Sequence, residues 1–297
     1  MDRLDAMRIF LGVADRESFA DAARALRVSA AAASRAVARL EVELGTALLS
    51  RTTRSVRLTE QGALFAERCR RILAEVEQAE RLVRGENAAP RGILSVTAPV
   101  LFGRLHVLPI AEVLLALHPE LEIHLTFVDR VTHLVEEGFD LAVRIGALAD
   151  SALIAIPVAA TRRVLVASPA YLAAAGTPAS PAELKRHRIV SFEGIDFTND
   201  WRFGADGRTS VTVSPRLSVN AADAALASAI RGNGITRALC YQVADAVADG
   251  RLRRLLVDWE PAPMPISLVC QASRRGSPNI AAFVREARQR LKRLGRD

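Results

Sequence analysis

Apolar residues in the first third of the chain recur at helical intervals. Leu4, Met7, Leu11 and Ala14, with Phe10 beside them, fall at steps of three and four and predict an amphipathic helix to about Arg16. Ser18, with Asp21 three residues on, reads as the cap of a short helix reaching about Leu26. Ser29 caps a third helix from Ala30 to about Leu44, closed by Gly45. Two short helices joined by a tight turn form a helix-turn-helix pattern. The apolar runs Ala47 to Leu49 and Val56 to Leu58 flank an arginine-bearing turn and predict a small hairpin.

Thr59 caps a long helix reaching about Gly85, with Glu60 favourable in its first turn. Along it Phe65, Cys69, Ile72, Val76, Ala79 and Val83 alternate in steps of four and three, the seam of a coiled coil. Glu67 to Arg71, Glu77 to Arg81 and Glu80 to Arg84 are i,i+4 pairs in the favourable direction. Such a seam needs a cover, either a second copy of the chain or the face of its own later domain.

The stretch RGENAAPRG, residues 84 to 92, reads as a hinge. Beyond it the period changes. ILSVTA, LEIHLTFV and DLAVRIG are strand-like, separated by a helix from Phe102 to Leu117 and a short one from Val131 to Glu137. A second series follows: RRVLVASP, a helix near Ala170 to Ala175, RIVSFEG, TSVTVSP, a helix from Ala221 to Arg231, GITRAL and a helix from Tyr241 to Asp249. The chain ends with ISLVCQAS and a long helix from Asn279. Strand-helix alternation predicts parallel sheets with helices on their faces. The fold class is α+β and multidomain.

At 297 residues the chain is long enough for two or three units with their own cores. Its net charge of +7 favours polyanionic partners, although nearly all of it is arginine in an alanine-rich chain, which fits a compositional origin as well. Three cysteines without a close pair imply a reduced compartment and no disulfide framework. The N-terminal residues lack the apolar core of a signal peptide, and no run of about 18 uninterrupted apolar residues offers a membrane span. A cytoplasmic location and no membrane partner are expected.

Charge and shape then converge on the first unit. Between Arg16 and Arg57 there are eight arginines against four acids. Small side chains at Ala30 to Ala33 let a helix start approach base edges, and alanine methyls can lie against thymine methyls. Ser34 and Arg35 follow one turn behind, within reach of bases or phosphates. High helix propensity explains an alanine run equally well when it stands alone. The hairpin projects Arg51, Arg54 and Arg57 toward a minor groove or phosphates. Enzymatic readings find no support: the five histidines lack metal-site spacing, and neither a nucleophile elbow nor a phosphate loop is present. Cys240 has no histidine beside it and reads as a structural thiol.

Through SFADAARALRVS and SRAVARLEVELGTALLSRTTRSVRLTEQG, residues 1 to 87 resemble the winged helix-turn-helix and linker helix of LysR-type transcriptional regulators. LVEEGFDLAVRIG and GNGITRALCYQVADAVADGRLRRLL extend the resemblance through the second half. The resemblance implies a DNA-binding domain over 1–58, a dimerisation helix over 59–88 and an effector-binding domain over 92–297. The last would have two α/β lobes like a periplasmic solute-binding protein, lobe one at 92–162 and 266–297 and lobe two at 163–265. The candidate DNA-binding residues are Ser18, Ser29, Ala30, Ala31, Ala33, Ser34, Arg35 and Arg39, with Arg51, Thr53 and Arg54 on the wing. Family members often carry Gln or Ser where this chain has Ala30 and Ala31.

For the effector, helix N-termini beyond strand ends favour anions. This marks Thr97, Ala98, Pro99, Val100 and Leu101 in lobe one, and Ser218 and Asn220 as capping residues in lobe two. The resemblance adds Arg144, Ile145, Phe192 and Thr236. The function so implied is a sequence-specific DNA-binding regulator whose activity a small molecule modulates, with dimers or tetramers of the chain, promoter DNA and the transcription machinery as partners and no cofactor. The competing reading is a cytoplasmic small-molecule-binding protein with an incidental helical N-terminus.

Overall fold

Asp2 and Asp5 satisfy each other's backbone N–H groups at the start of α1 (Arg3–Arg16), a reciprocal cap. The computed structural model describes residues 2–51, 56–83, 89–147, 153–194 and 198–294; for Arg51, residues 77–83 and Arg293 it describes the backbone alone. The chain divides into two compact units, 1–88 and 89–297.

In the first unit Ser18 Oγ accepts the Asp21 N–H at the head of α2 (Phe19–Ala25), and Ser29 Oγ accepts the Ala32 N–H at the head of α3 (Ala30–Leu44). Asp21 does not complete the box at α2, because its carboxylate pairs with Arg24 at 3.1 Å. Gly45, at φ 66°, ends α3 in the left-handed region that glycine adopts without strain. The hairpin pairs β1 (Leu49–Arg51) with β2 (Val56–Leu58). Its first strand begins two residues later than expected, since Glu41 Oε1 takes the Leu48 and Leu49 N–H groups at 2.9 and 3.1 Å and turns the chain there. Thr59 Oγ1 accepts the Gly62 N–H and opens α4 (Glu60–Val83). Gly62 is required at this corner: a Cβ there would stand 1.9 Å from the Leu48 carbonyl oxygen.

One core holds the unit together: Phe10 and Val13 of α1, Val37 and Leu40 of α3, Leu48, and Ala66, Cys69 and Leu73 of α4. This corrects the coiled-coil reading of α4. Cys69 is fully buried within its own chain and the Phe65 ring lies 5.5 Å from Phe10, so both belong to this core and not to a seam between copies. The first turns of α4 must wall off α1, and that face absorbs them. Ile72 stays 39% exposed and Val76 half-buried; the side chains of Ala79 and Val83, and the pairs from Glu77 and Glu80, lie outside the described residues.

The second unit contains two five-stranded sheets. It begins with β3 (Gly92–Ala98), then α5 (Val100–Phe102), a π-helical turn at Gly103–Val107 and α6 (Leu108–Leu117). By length and composition Val100–Leu117 is apolar enough to cross a membrane, despite Arg104 and Glu112, but Ile110 and Leu114 are buried in the lobe-one core and Ala111 is buried beside them in sequence. Next come β4 (Leu121–Phe127), β5 (Leu141–Ile145) and β6 (Leu153–Thr161). The helix expected at Val131–Glu137 is a run of turns instead. There the Glu137 carboxylate accepts the His133 N–H at 2.9 Å and binds Arg130, which closes the turn from the side chain.

After one intervening residue, Arg162, the chain enters the second sheet. Its elements are β7 (Arg163–Ala167), α7 (Pro169–Ala175), β8 (Ile189–Phe192), a hairpin of β9 (Asp200–Phe203) and β10 (Thr209–Thr212), β11 (Pro215–Val219), α8 (Ala222–Ile230), β12 (Ile235–Leu239), α9 (Cys240–Ala248) and β13 (Arg253–Leu255). The chain then returns to the first sheet as β14 (Met264–Gln271) and ends with α10 (Pro278–Arg290). The strand orders are β4-β3-β5-β14-β6 and β11-β8-β12-β7-β13. Each sheet is mixed, contrary to the parallel expectation, because the strands next to the crossings, β14 in one and β7 in the other, run antiparallel to their neighbours.

The two crossings are tied together. The Arg162 carbonyl accepts the Cys240 N–H, and the buried Glu260 carboxylate lies 2.7 Å from Arg254 and 3.8 Å from Arg162.

Candidate functional site

In the first unit, the face of α3 opposite the core carries the candidate chemistry. Ala30 and Ala31 are exposed on its first turn, Ser34 is half-buried, and Arg35 and Arg39 are exposed. Ala33 is not on this face. It is fully buried with Val37 and Leu40, four and seven residues on, so it packs the helix against α1. Ser18 and Ser29 cap their helices through backbone bonds. Arg39 Nε donates to Glu43 Oε1 at 2.7 Å, which offsets part of its charge, while Arg35 borders a groove between α3 and the first turn of α1. Arg57 is exposed on β2; the Arg51 side chain, Thr53 and Arg54 lie outside the described residues. The surface is a nearly flat helix start flanked by guanidinium groups, a shape that allows close approach to a groove and places cations near phosphates.

In the second unit a cavity of about 360 Å³ opens between the sheets. Of the expected residues, Pro99, Arg144, Ile145 and Phe192 line it. Thr97 and Thr236 do not: each is buried on its strand, with a hydroxyl that finds no partner among the described residues. Ala98 lies in the lobe-one core, and Leu101 packs with Val164 and Leu226 of lobe two. The Val100 N–H is bound at 3.0 Å by Asp129 Oδ1, so the helix start expected to receive an anion already holds a carboxylate from its own lobe. Ser218 and Asn220 are also corrected. β11 runs on through Val219, the cap position falls on Ala221, and neither side chain caps α8.

Sequence reasoning missed Asp129, Arg163, Arg237, Tyr241 and Gln242, all on the cavity wall. Tyr241 and Gln242 follow directly on β12, where the rule that ligands collect beyond strand ends points. Arg144 Nη2 donates to the Thr132 carbonyl at 2.6 Å and to its hydroxyl at 2.7 Å, and burial pushes its pKa below the usual arginine value. Arg237 lies over the Trp201 ring at 5.0 Å. Burial raises the Asp129 carboxyl, which the Val100 N–H partly offsets, and the neighbouring Asp223 raises it further. Tyr241 belongs to α9 of lobe two but inserts into the lobe-one core, edge-on to Phe102 at 5.2 Å and 5.4 Å from the His106 ring. Burial holds its phenol protonated. Among the described residues no cluster has the makings of a metal site.

Comparison with known proteins agrees with this division. Residues 4–63 match the profile of the bacterial regulatory helix-turn-helix proteins of the lysR family, and residues 87–292 match that of the LysR substrate binding domain. A helix-turn-helix transcriptional repressor of Pseudomonas aeruginosa is 33% identical over 96% of this chain and 90% of its own length. The regulator CrgA of Neisseria meningitidis is 33% identical over 86% of this chain and 85% of its own. The solved structure of CrgA, described as a LysR-type transcriptional regulator, superimposes with a TM-score of 0.63 at 30% identity, covering 97% of this chain and 98% of that one. The full-length structure of the Vibrio cholerae virulence activator AphB shares the fold, with a TM-score of 0.60 at 23% identity. The match over residues 4–63 removes the reading of the helical N-terminus as incidental.

Proposed function

The chain belongs to the LysR-type transcriptional regulators, with a helix-turn-helix DNA-binding domain and an effector-binding domain, and on that premise we propose how its residues divide the work. α3 enters the major groove with Ala30 and Ala31 leading. Ser34, Arg35 and Arg39 contact bases or phosphates from the next turns, and the wing, with Arg51, Thr53 and Arg54, lies on the adjacent backbone. Ser18 and Ser29 hold the two helices at their starts. Two copies pair through what the core of the first unit leaves uncovered on α4, Ile72 and Val76 onward, and so address two half-sites. A small molecule in the cavity between the sheets changes DNA affinity to the extent that it binds one lobe arrangement better than the other. The protein works in the cytoplasm as a regulator and not as an enzyme.

The observation that carries the DNA reading is the exposed, nearly bare first turn of α3, whose other face is core, followed by the exposed Arg35. Mobility shifts with the DNA upstream of its own gene test it. Arg35→Ala is expected to weaken specific binding by roughly tenfold, with relaxed preference at one base pair. Arg208→Ala, an exposed arginine in lobe two, leaves binding unchanged. Wild-type binding by Arg35→Ala overturns the assignment.

A further inference from the structure

The turn between α2 and α3 stops the first of these helices with two backbone bonds. The Arg27 N–H donates to the Arg24 carbonyl at 3.3 Å and the Val28 N–H to the Ala23 carbonyl at 2.9 Å, the pair that defines a Schellman motif. The motif needs a left-handed residue just past the helix, and glycine is the usual occupant because it has no Cβ to clash. Here the occupant is Arg27, at φ 55°. Its neighbours hold it there. Val28 packs against the core of the first unit, and Leu26 lies so close over Gly12 of α1 that a Cβ on that glycine would stand 2.9 Å from Leu26 Cδ1. With the chain fixed on both sides the strained backbone persists, and the Arg27 side chain is exposed.

Strain alone does not mark a contact, since Glu17, in the turn before α2, is left-handed as well, at φ 50°. Charge and position separate the two. Arg24 is held by Asp21 at 3.1 Å and Arg39 by Glu43 at 2.7 Å, whereas Arg27 and Arg35 have no carboxylate partner among the described residues. A cation near the C-terminal end of α2 suits the helix dipole, but Arg24 already stands in that last turn. Arg27 lies two residues before Ser29, the cap of α3, and so at the same end of that helix as the exposed Ala30 and Ala31. A duplex that takes this helix start into its major groove brings the phosphates bordering the groove past the turn. On the reading of α3 as the groove helix, on which this rests, we propose that Arg27 is a further DNA contact, a guanidinium kept in a strained turn to bind a backbone phosphate. Such a contact adds affinity and fixes position without reading sequence.

The test uses the full-length protein with the DNA upstream of its own gene and with a random-sequence duplex, each titrated over a range of salt, and thermal melts alongside. Arg27→Gly and Arg27→Asn replace the cation by residues that tolerate the left-handed region. Both are expected to melt higher than wild type and yet to bind both DNAs at least about threefold more weakly, with the slope of log K against log salt shallower by about 0.9 for each reading head engaged. The ratio of the two affinities stays at its wild-type value. Arg27→Lys keeps the slope and melts like wild type. Glu17→Gly relieves the same kind of strain, melts higher and does not weaken binding, which separates the loss of the cation from the gain in stability.

Higher melting with wild-type affinity and slope in both neutral variants overturns the contact and leaves Arg27 as a turn residue only. A Tm below wild type in both overturns the strain on which the assignment rests. A changed ratio of the two affinities makes Arg27 a base-reading residue and overturns the phosphate assignment. If Arg35→Ala loses specific binding while the neutral Arg27 variants lose none, the groove reading of α3 stands and Arg27 alone falls. If the wild-type protein shifts neither DNA, the groove reading falls and this contact with it.

Discussion

Cys69 shows how much a residue's role depends on what it faces. At the expected seam its thiol would meet a second copy; in the core it is desolvated, and burial pushes its pKa up to about 11. Cys270 is buried and raised as well, while Cys240 is half-buried with its Sγ 3.2 Å from Thr161 Oγ1. Near pH 7 a thiol reagent should label Cys240 first and reach Cys69 and Cys270 only on addition of urea, read by mass spectrometry of peptides. Rapid native labelling of Cys69 would contradict the packing of α4 on α1.

At this scale the legible features were local. Ser18 and Ser29 cap through backbone groups three residues away, which spacing reveals. Asp129 binds the Val100 N–H across 29 residues of sequence, and no local pattern announces it. Ala33 was legible and misjudged: it shares a helical face with Val37 and Leu40, which the same spacing rule marks as core.

Helix α4 combines two periodic demands on one element. Ala66, Cys69 and Leu73 turn inward, while Ile72 and Leu64, 39% and 56% exposed, are left for another surface. Ile72→Glu should therefore leave the first unit folded, shift sedimentation toward the monomer and weaken DNA binding through loss of the paired half-site. A dimer as tight as wild type would place the interface elsewhere. The helices α2, α3 and α4 were legible because each couples a side-chain cap to a 3.6-residue period.

Strands at sheet edges were not. β11, at the edge of its sheet, is exposed at Arg216, Leu217 and Ser218, so no alternation survives in its sequence. β6 carries Pro157, which argues against a central strand and is tolerated because β6 is itself an edge. Missing β11 moved the start of α8 and with it the roles assigned to Ser218 and Asn220.

Across the whole molecule, two half-buried imidazoles link protonation to folding. Burial lowers the pKa of His106 and of His187 below the ordinary 6.5. In this situation the unfolded chain binds protons that the folded one resists, so stability present above about pH 6.5 declines as the pH falls toward the folded-state values. Thermal melts from pH 7 to pH 5 should show a falling Tm for the second unit, with a shallower fall in His106→Phe. An unchanged slope in that variant would assign the loss to other groups. The cavity wall was only partly legible, since Arg163, Arg237 and Tyr241 share it with Arg144 from positions 19, 93 and 97 residues further along the chain, in the other lobe.

The order of the strands also sets a sequence of events on the ribosome. β6 touches its sheet only through β14, and β14 is made after all of lobe two. While the polypeptide is being synthesised, the DNA-binding end and lobe two therefore have every strand they require before lobe one does. A messenger cut short just before the codon for Met264 is expected to yield a protein with its DNA-binding end and lobe two complete but with half of its sensor unclosed.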